Sequence, residues 1–312
     1  MTTMSTVRRA LLPVLALAVL ATAGPAAARI DVAAATPGPL AGLIKQSKKE
    51  SGLVFYANAP AANLKIVTDR FKYYHPWISS TAYDLDNNVI FSKYASEAAQ
   101  GTRTADLLIS SAPNLWVYAV RQKYLVDYDP LQLSAFPSFA KQYKGVFIIS
   151  PDPAIIMYNK LLLKDKVPQS VTQMANDPGT YGKLTGYTVD NLFGYTGIWG
   201  YVQKRGWGAF EKIGKNRFIA QTGVAGQRSL VSQGAAVAAY LTSPTVRLGI
   251  ETDPQLSRIL GWTYNKDVTP LIPRGMGITA KAKSPASAKL FLNWLFTKAG
   301  QQAMCDAGFT AF

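Results

Sequence analysis

From Gly52 onward the chain alternates short apolar runs with stretches whose apolar residues recur at helical spacing. Leu53–Tyr56 reads as a strand, because residues of β-forming type stand together just after a glycine. A helix is expected from Pro60 to Phe71, with Leu64, Val67 and Phe71 on one face. Trp77–Leu85 predicts a second strand, Asn88–Gln100 a second helix stopped at Gly101, Ala105–Ile109 a third strand and Pro113–Lys123 a third helix. This succession predicts parallel strands with right-handed crossovers. It describes an α/β layered domain whose ligand crevice lies at the carboxyl ends of the strands.

The pattern changes at Gly145. Gly145–Met157 is extended, interrupted by Pro151 and Pro153, and longer than an ordinary strand, as a segment crossing between two domains would be. A second α/β region follows, with strands expected at Leu184–Val189 and Ala235–Tyr240 and helices at Thr196–Lys204 and near Ser229. Thr269–Thr279 is extended again and reads as the return crossing. Ser284 is expected to cap a helix with Pro285 in its first turn and Ala288, Phe291, Leu292, Leu295 and Phe296 on its buried face. Two crossings imply two lobes.

Residues 1–28 read as an export signal. Arg8 and Arg9 precede the apolar run Ala10–Ala23, and Ala26-Ala27-Ala28 supplies small residues for cleavage. The run is shorter than the roughly 20 residues that span a bilayer. The paired arginines fit the twin-arginine route loosely, so both that route and the general one stay open. No cysteine lies near the cleavage point, and no lipid anchor is expected there. Residues 29–49 are expected to form a linker and N-terminal segment, with Val32–Pro39 the most linker-like part.

Composition narrows the chemistry. Lys+Arg 33 against Asp+Glu 18 gives a formal charge of +15, which raises nucleic acid, a membrane surface or an anionic small ligand as partners. The basic residues are dispersed, no recognition motif is present, and an export signal leads away from nucleic acid. No segment combines an apolar face with a lysine-rich one. A single Cys and a single His exclude a disulfide framework and a Cys/His zinc site. A serine triad would have to use His75, beside Pro76, and no Gly-x-Ser-x-Gly turn occurs. Cys305 lies in the terminal helix, and Asp84, Asp86 and Glu97 show no spacing that points to paired-carboxylate catalysis. Tyr73-Tyr74-His75 reads as helix-end packing, and Trp199 and Trp207 as core.

Several segments carry a family likeness. Gly52-Leu53-Val54-Phe55-Tyr56-Ala57-Asn58 resembles the start of a type II solute-binding protein of an ABC importer. Glu97–Gly101 with Ala105–Ser111, Tyr158-Asn159-Lys160, and Asp177-Pro178 with Tyr181–Leu184 agree with it in order and spacing. Ala288–Leu295 with Lys298–Gln301 and Ala307-Gly308-Phe309 is the most specific part of the match. The nearest branch is that of the ferric-ion-binding proteins. The resemblance implies the two-lobed type II periplasmic-binding-protein fold, each lobe a sheet flanked by helices and the lobes joined by two crossing strands. Lobe 1 would comprise 50–147 and 270–312, and lobe 2 148–269. One or two further helices would be expected after Phe309.

The same likeness implies a periplasmic, monomeric component that captures a small solute and delivers it to a permease in the inner membrane, with no cofactor and no catalysis. An exported enzyme or a sensor reusing the fold is the alternative of another class. Ferric sites of the branch use a tyrosine pair in the second lobe with a carboxylate or histidine from the first. Here the first-lobe turn is Asn58-Ala59-Pro60 and the second lobe offers a single Tyr240 followed by Leu241. An organic or phosphorylated anion is therefore the expected cargo, with ferric ion as the alternative.

The expected ligand residues stand at strand ends and helix starts. Asn58 follows the first strand, Ser110 and Ser111 the third, and Thr196 and Gly197 open the helix after Gly194-Tyr195. A helix start offers unpaired N–H groups and partial positive charge for a carboxylate or phosphate. Tyr240 ends a small-residue strand and offers a hydroxyl. Each of these has a plainer reading as a helix cap or core residue. Arg228, Tyr264 and Arg274 are further candidates for the cleft.

Overall fold

The computed structural model describes residues 38–164 and 166–312. The expected signal sequence, 1–28, and most of the expected linker lie outside the described residues. The first half runs α1 (Ala41–Ser47), β1 (Leu53–Ala57), α2 (Ala61–Tyr74), β2 (Ser80–Asp84), α3 (Asn87–Ala99), β3 (Leu107–Ser110), α4 (Pro113–Arg121), β4 (Lys141–Tyr143) and β5 (Val146–Pro153). Then come β6 (Ile155–Asn159), α5 (Val171–Asn176), β7 (Leu184–Tyr187), α6 (Leu192–Arg205), α7 (Gly208–Lys215), β8 (Ile219–Gln221), α8 (Val224–Ser232) and β9 (Ala238–Thr242). The chain finishes with α9 (Val246–Thr252), α10 (Pro254–Ile259), β10 (Leu260–Thr263), β11 (Leu271–Ile278), α11 (Pro285–Leu295) and α12 (Lys298–Asp306).

These strands make two mixed sheets flanked by helices, the two-lobed fold expected. The first lobe's sheet has the order β2-β1-β3-β11-β5-β4, and the second's β10-β6-β9-β7-β8. β1 pairs in parallel with both β2 and β3, as the alternating pattern predicts. β11 enters between β3 and β5 and is antiparallel to both. Alternation along β1 sends Leu53, Phe55 and Ala57 into one core with Phe71 and Phe291, and Tyr56 into another with Phe91 and Trp116. Burial on both faces explains why these strands read as continuous apolar runs.

The chain changes lobes at Ala154, between β5 and β6, rather than at residue 148. β5 stays paired with β11 through Pro153, and the Ala154 N–H donates to the Pro270 carbonyl at 2.8 Å. The register of β5 against β11 shifts between Arg274 and Gly275, and such a bulge re-aims the side chains beside it. Gly275 has no alternative there: a Cβ would lie 2.5 Å from Trp116 Nε1.

The N-terminal segment that follows the expected linker contains a helix. Leu40, Leu43 and Ile44 recur at helical spacing and pack on the first core, which makes α1 a docked element rather than a connector. Glu50 just after it does the capping expected of Ser284. Its carboxylate accepts from Ala286 N at 2.9 Å and Ser287 N at 2.8 Å, while the Ser284 hydroxyl turns to the Gly52 carbonyl. Trp199 and Trp207 are also placed differently from expectation. They are 51% and 52% exposed, because α6 and α7 bury other faces.

Candidate functional site

A cleft of about 390 Å³ separates the lobes, at the carboxyl ends of strands from both sheets. The first-lobe wall comes from the turn after β1 (Asn58, Ala59, Pro60), the residues at and after the end of β2 (Asp84, Asp86) and Asn63 on α2. The second-lobe wall comes from the end of β7 (Tyr187), the start of α6 (Asn191, Phe193), the β8–α8 turn and the β9–α9 turn. Arg274, on the crossing strand β11, completes the lining.

Of the six expected ligand residues, Asn58 lines the cleft. Ser110 and Ser111 stand behind it. The Ser110 hydroxyl donates to Asn87 Oδ1 at 2.6 Å, the Ser111 N–H to the same oxygen at 3.2 Å, and the Ser111 hydroxyl to Asn58 Oδ1 at 2.9 Å. This chain fixes the Asn58 amide by its oxygen, and its NH2 has no hydrogen-bond partner among the described residues. Both serines are fully buried, and Ser111 holds the Asn58 amide directly.

The second-lobe expectations are corrected. Thr196 and Gly197 do not open their helix, because α6 begins at Leu192 and is capped by Asn191, whose Oδ1 accepts from Gly194 N at 2.9 Å. Thr196 donates its hydroxyl back to the Leu192 carbonyl at 2.7 Å, and Gly197 faces Ala154 and Ile272 inside the protein. Tyr240 is not at the tip of β9 either, since the strand continues through Thr242. Its ring lies in the second core against Gly186, Phe210 and Phe218, and burial drives its hydroxyl far above the ordinary tyrosine value. The cleft-lining tyrosine is Tyr187. Its Oη accepts from Ser243 N at 3.2 Å, and burial pushes its pKa up to about 12, so its hydroxyl is neutral.

Charge in the cleft is sorted by wall. Arg274 is 1% exposed and neutralised by Asp152: Nε and Nη2 each lie 2.7 Å from Asp152 Oδ2, and Nη1 donates to the Asn58 carbonyl. Asp84 and Asp86 stand on the first lobe without an ion-pair partner among the described residues. Protein around the cleft mouth limits the solvation of the Asp84 carboxylate, and Asp86 repels it. Together these raise its pKa, against the pull of the Ala59 backbone and of Arg274. On the second lobe Arg228 projects from α8, also without an ion-pair partner among the described residues. The start of α8 is capped by Gly223, which has no side chain to accept from its first-turn N–H groups, and Val224 and Ala225 line the cleft.

Asp84, Asp86, Tyr187, Asn191, Thr222 and Ser243 are among the lining residues not expected from the sequence. The signal for them was position: each stands at or just past the end of a strand, as Asn58 does. Among the described residues, no cluster of three or more His, Cys, Asp or Glu is placed to hold a metal ion, and no helix is long and apolar enough to cross a membrane.

Residues 57–302 match the family model described as bacterial extracellular solute-binding protein. The chain belongs to that family. This solute-binding protein is similar in fold to the substrate-binding protein of an ABC transporter from Agrobacterium tumefaciens, at 20% identity and TM-score 0.72, covering 81% of this chain and 78% of that one. It is also similar to the periplasmic binding protein AfuA from Actinobacillus pleuropneumoniae, solved with exogenous fructose-6-phosphate, at 16% identity and TM-score 0.68, with 83% of each chain covered. A third is iron-bound HitA from Pseudomonas aeruginosa, at 17% identity and TM-score 0.63, covering 81% of this chain and 83% of that one. No curated protein matches the chain. At these identities the solute-binding protein shares a fold with its neighbours, and their different cargoes do not choose its own.

Proposed function

We propose that this solute-binding protein captures a small organic solute between its lobes in the periplasm and delivers it to an ABC permease of the inner membrane, working as a monomer without a cofactor and without chemistry on its cargo. The observation that carries the reading is the cleft itself. About 390 Å³ bounded by both lobes falls in the range of small-molecule sites, and its lining mixes apolar side chains with a few fixed polar groups. Closure of two lobes around a solute is the motion that such a double-stranded connection allows.

Ferric ion is the weaker reading. A lone ion fills little of this volume, and the cleft lining offers one tyrosine, Tyr187, rather than a pair.

A thermal-shift screen of the protein without residues 1–28 tests the proposal, using organic acids, phosphate esters, polyamines, amino acids, sugars and ferric ion. Saturable stabilisation by one compound, recovered unchanged, is expected. Turnover of the stabilising compound would overturn it, as would a flat screen together with no small molecule released from protein purified out of its own periplasm.

A further inference from the structure

Resting on the capture reading, the opposition of unpaired charges across the cleft says what kind of solute it takes. Asp84 and Asp86 line the first-lobe wall, and Arg228 lines the second-lobe wall. No ion pair joins either carboxylate to Arg228, although all three border one cavity. The other arginine of the lining, Arg274, is already committed to Asp152. A smaller hollow of about 70 Å³ is lined by Asp86 from the first lobe and by Asp190, Asn191 and Thr222 from the second. Near Arg228, Val224 and Ala225 of the first turn of α8 line the cleft, and no side chain caps that turn.

A purely anionic solute would have to approach Asp84 and Asp86 uncompensated. A purely cationic one would meet Arg228 and the positive end of α8. Either arrangement places like charge against like in a partly desolvated cleft, where such pairs are costly. We infer that the cargo is dipolar: an organic solute with a carboxylate or phosphate on Arg228 and the α8 start, and an ammonium or other cationic group on Asp84 and Asp86. The Asn58 amide, with its free NH2, and the neutral Tyr187 hydroxyl then meet the uncharged middle of the molecule. The arrangement also fixes direction, because the reversed molecule sets both ends against their own sign.

Calorimetric titration with matched probes tests the inference. Phosphocholine is compared with inorganic phosphate and with choline, glucosamine 6-phosphate with glucose 6-phosphate, and glycine betaine with acetate and tetramethylammonium. At least one dipolar probe is expected to bind about tenfold or more tightly than its one-charge counterparts, the factor that one charge-assisted contact supplies. Arg228→Gln and the double variant Asp84→Asn/Asp86→Asn should each weaken that probe by about tenfold or more. The double variant should leave the anionic counterpart unchanged or improved. All three substitutions lie on the cleft surface, and unchanged circular dichroism melts show that the variants fold. A tightest binder with charge of only one sign, or none, overturns the inference and leaves capture standing, as does a double variant that binds the dipolar probe normally. If neither these probes nor the wider screen yields any binder, capture itself fails and this inference with it.

Discussion

Asn63 on α2 of the first lobe donates its side-chain amide to the backbone carbonyl of Thr245 on the second, at 3.2 Å, and to that of Ala307 at 2.7 Å. One buried amide thus ties the two lobes to the C-terminal segment at the edge of the cleft. Asn63→Ala leaves two carbonyls without their donor, at a cost of about 1–3 kcal/mol. The expected outcome is a fall in melting temperature of roughly 2–8 °C, with a larger radius of gyration of the unliganded protein in small-angle scattering. No change in either quantity would mean that the bond contributes nothing to the closed arrangement.

The Arg274–Asp152 pair sits on the crossing strands themselves. Arg274→Met strands a fully buried carboxylate and should cost about 3–5 kcal/mol in urea unfolding. Adding Asp152→Asn removes the orphaned charge and should recover a large part of the loss. A single variant within about 1 kcal/mol of the parent would refute the role given to the pair.

His75, the one histidine of the chain, is buried against Phe71 and Trp77, with ring centroids 4.7 and 5.4 Å away. Burial lowers its pKa below the ordinary 6.5, and the Tyr74 backbone offsets this only in part. The unfolded chain therefore takes up the proton at a higher pH than the folded protein does. Stability from this group is complete above the ordinary value and declines as pH falls through 6.5 toward the depressed folded value. The lone imidazole gives one resonance pair to follow by NMR, and a midpoint at or above 6.5 would contradict the prediction. His75→Phe should flatten the fall of melting temperature over the same window.

Tyr240 and Gly186 test the corrected placement of the second-lobe tyrosine. Tyr240→Phe should leave solute affinity unchanged and alter stability by less than about 1 kcal/mol. Gly186→Ala should destabilise by about 1–3 kcal/mol, because its Cβ would fall 2.4 Å from Tyr240 Cζ in a packed core. A tenfold loss of affinity in Tyr240→Phe would return that side chain to the cleft.

The fold was legible because its strands are buried on both faces and its early helices carry clear apolar stripes. β1, α2, β3 and α11 lie close to where periodicity puts them. α1 escaped because it is short and follows a proline-rich stretch, although Leu40, Leu43 and Ile44 already had helical spacing. The site was only partly legible. Asn58 could be read from its place after β1, but Thr196 and Tyr240 were misassigned by errors of a few residues in where α6 begins and β9 ends. Strand-tip positions decide which side chains meet a cleft, and tips are what periodicity fixes least well. Asp84 and Asp86 are ordinary surface charges in a linear reading, and Arg228 is there only a candidate without an opposite charge. Their meaning comes from facing one another, which only the tertiary arrangement supplies.

The insertion of β11 between β3 and β5 also has a bearing on the order of folding. A chain emerging from its N-terminus holds every strand of the second sheet once Thr263 is made, whereas the first sheet lacks a central member until Leu271–Ile278 has followed. The second lobe can therefore mature while the first stays open, its strands β3 and β5 without the neighbour that joins them. Long-range β pairings close slowly, so the first sheet is expected to complete after the second. Proteolysis of stalled nascent chains should find the second lobe protected before the first.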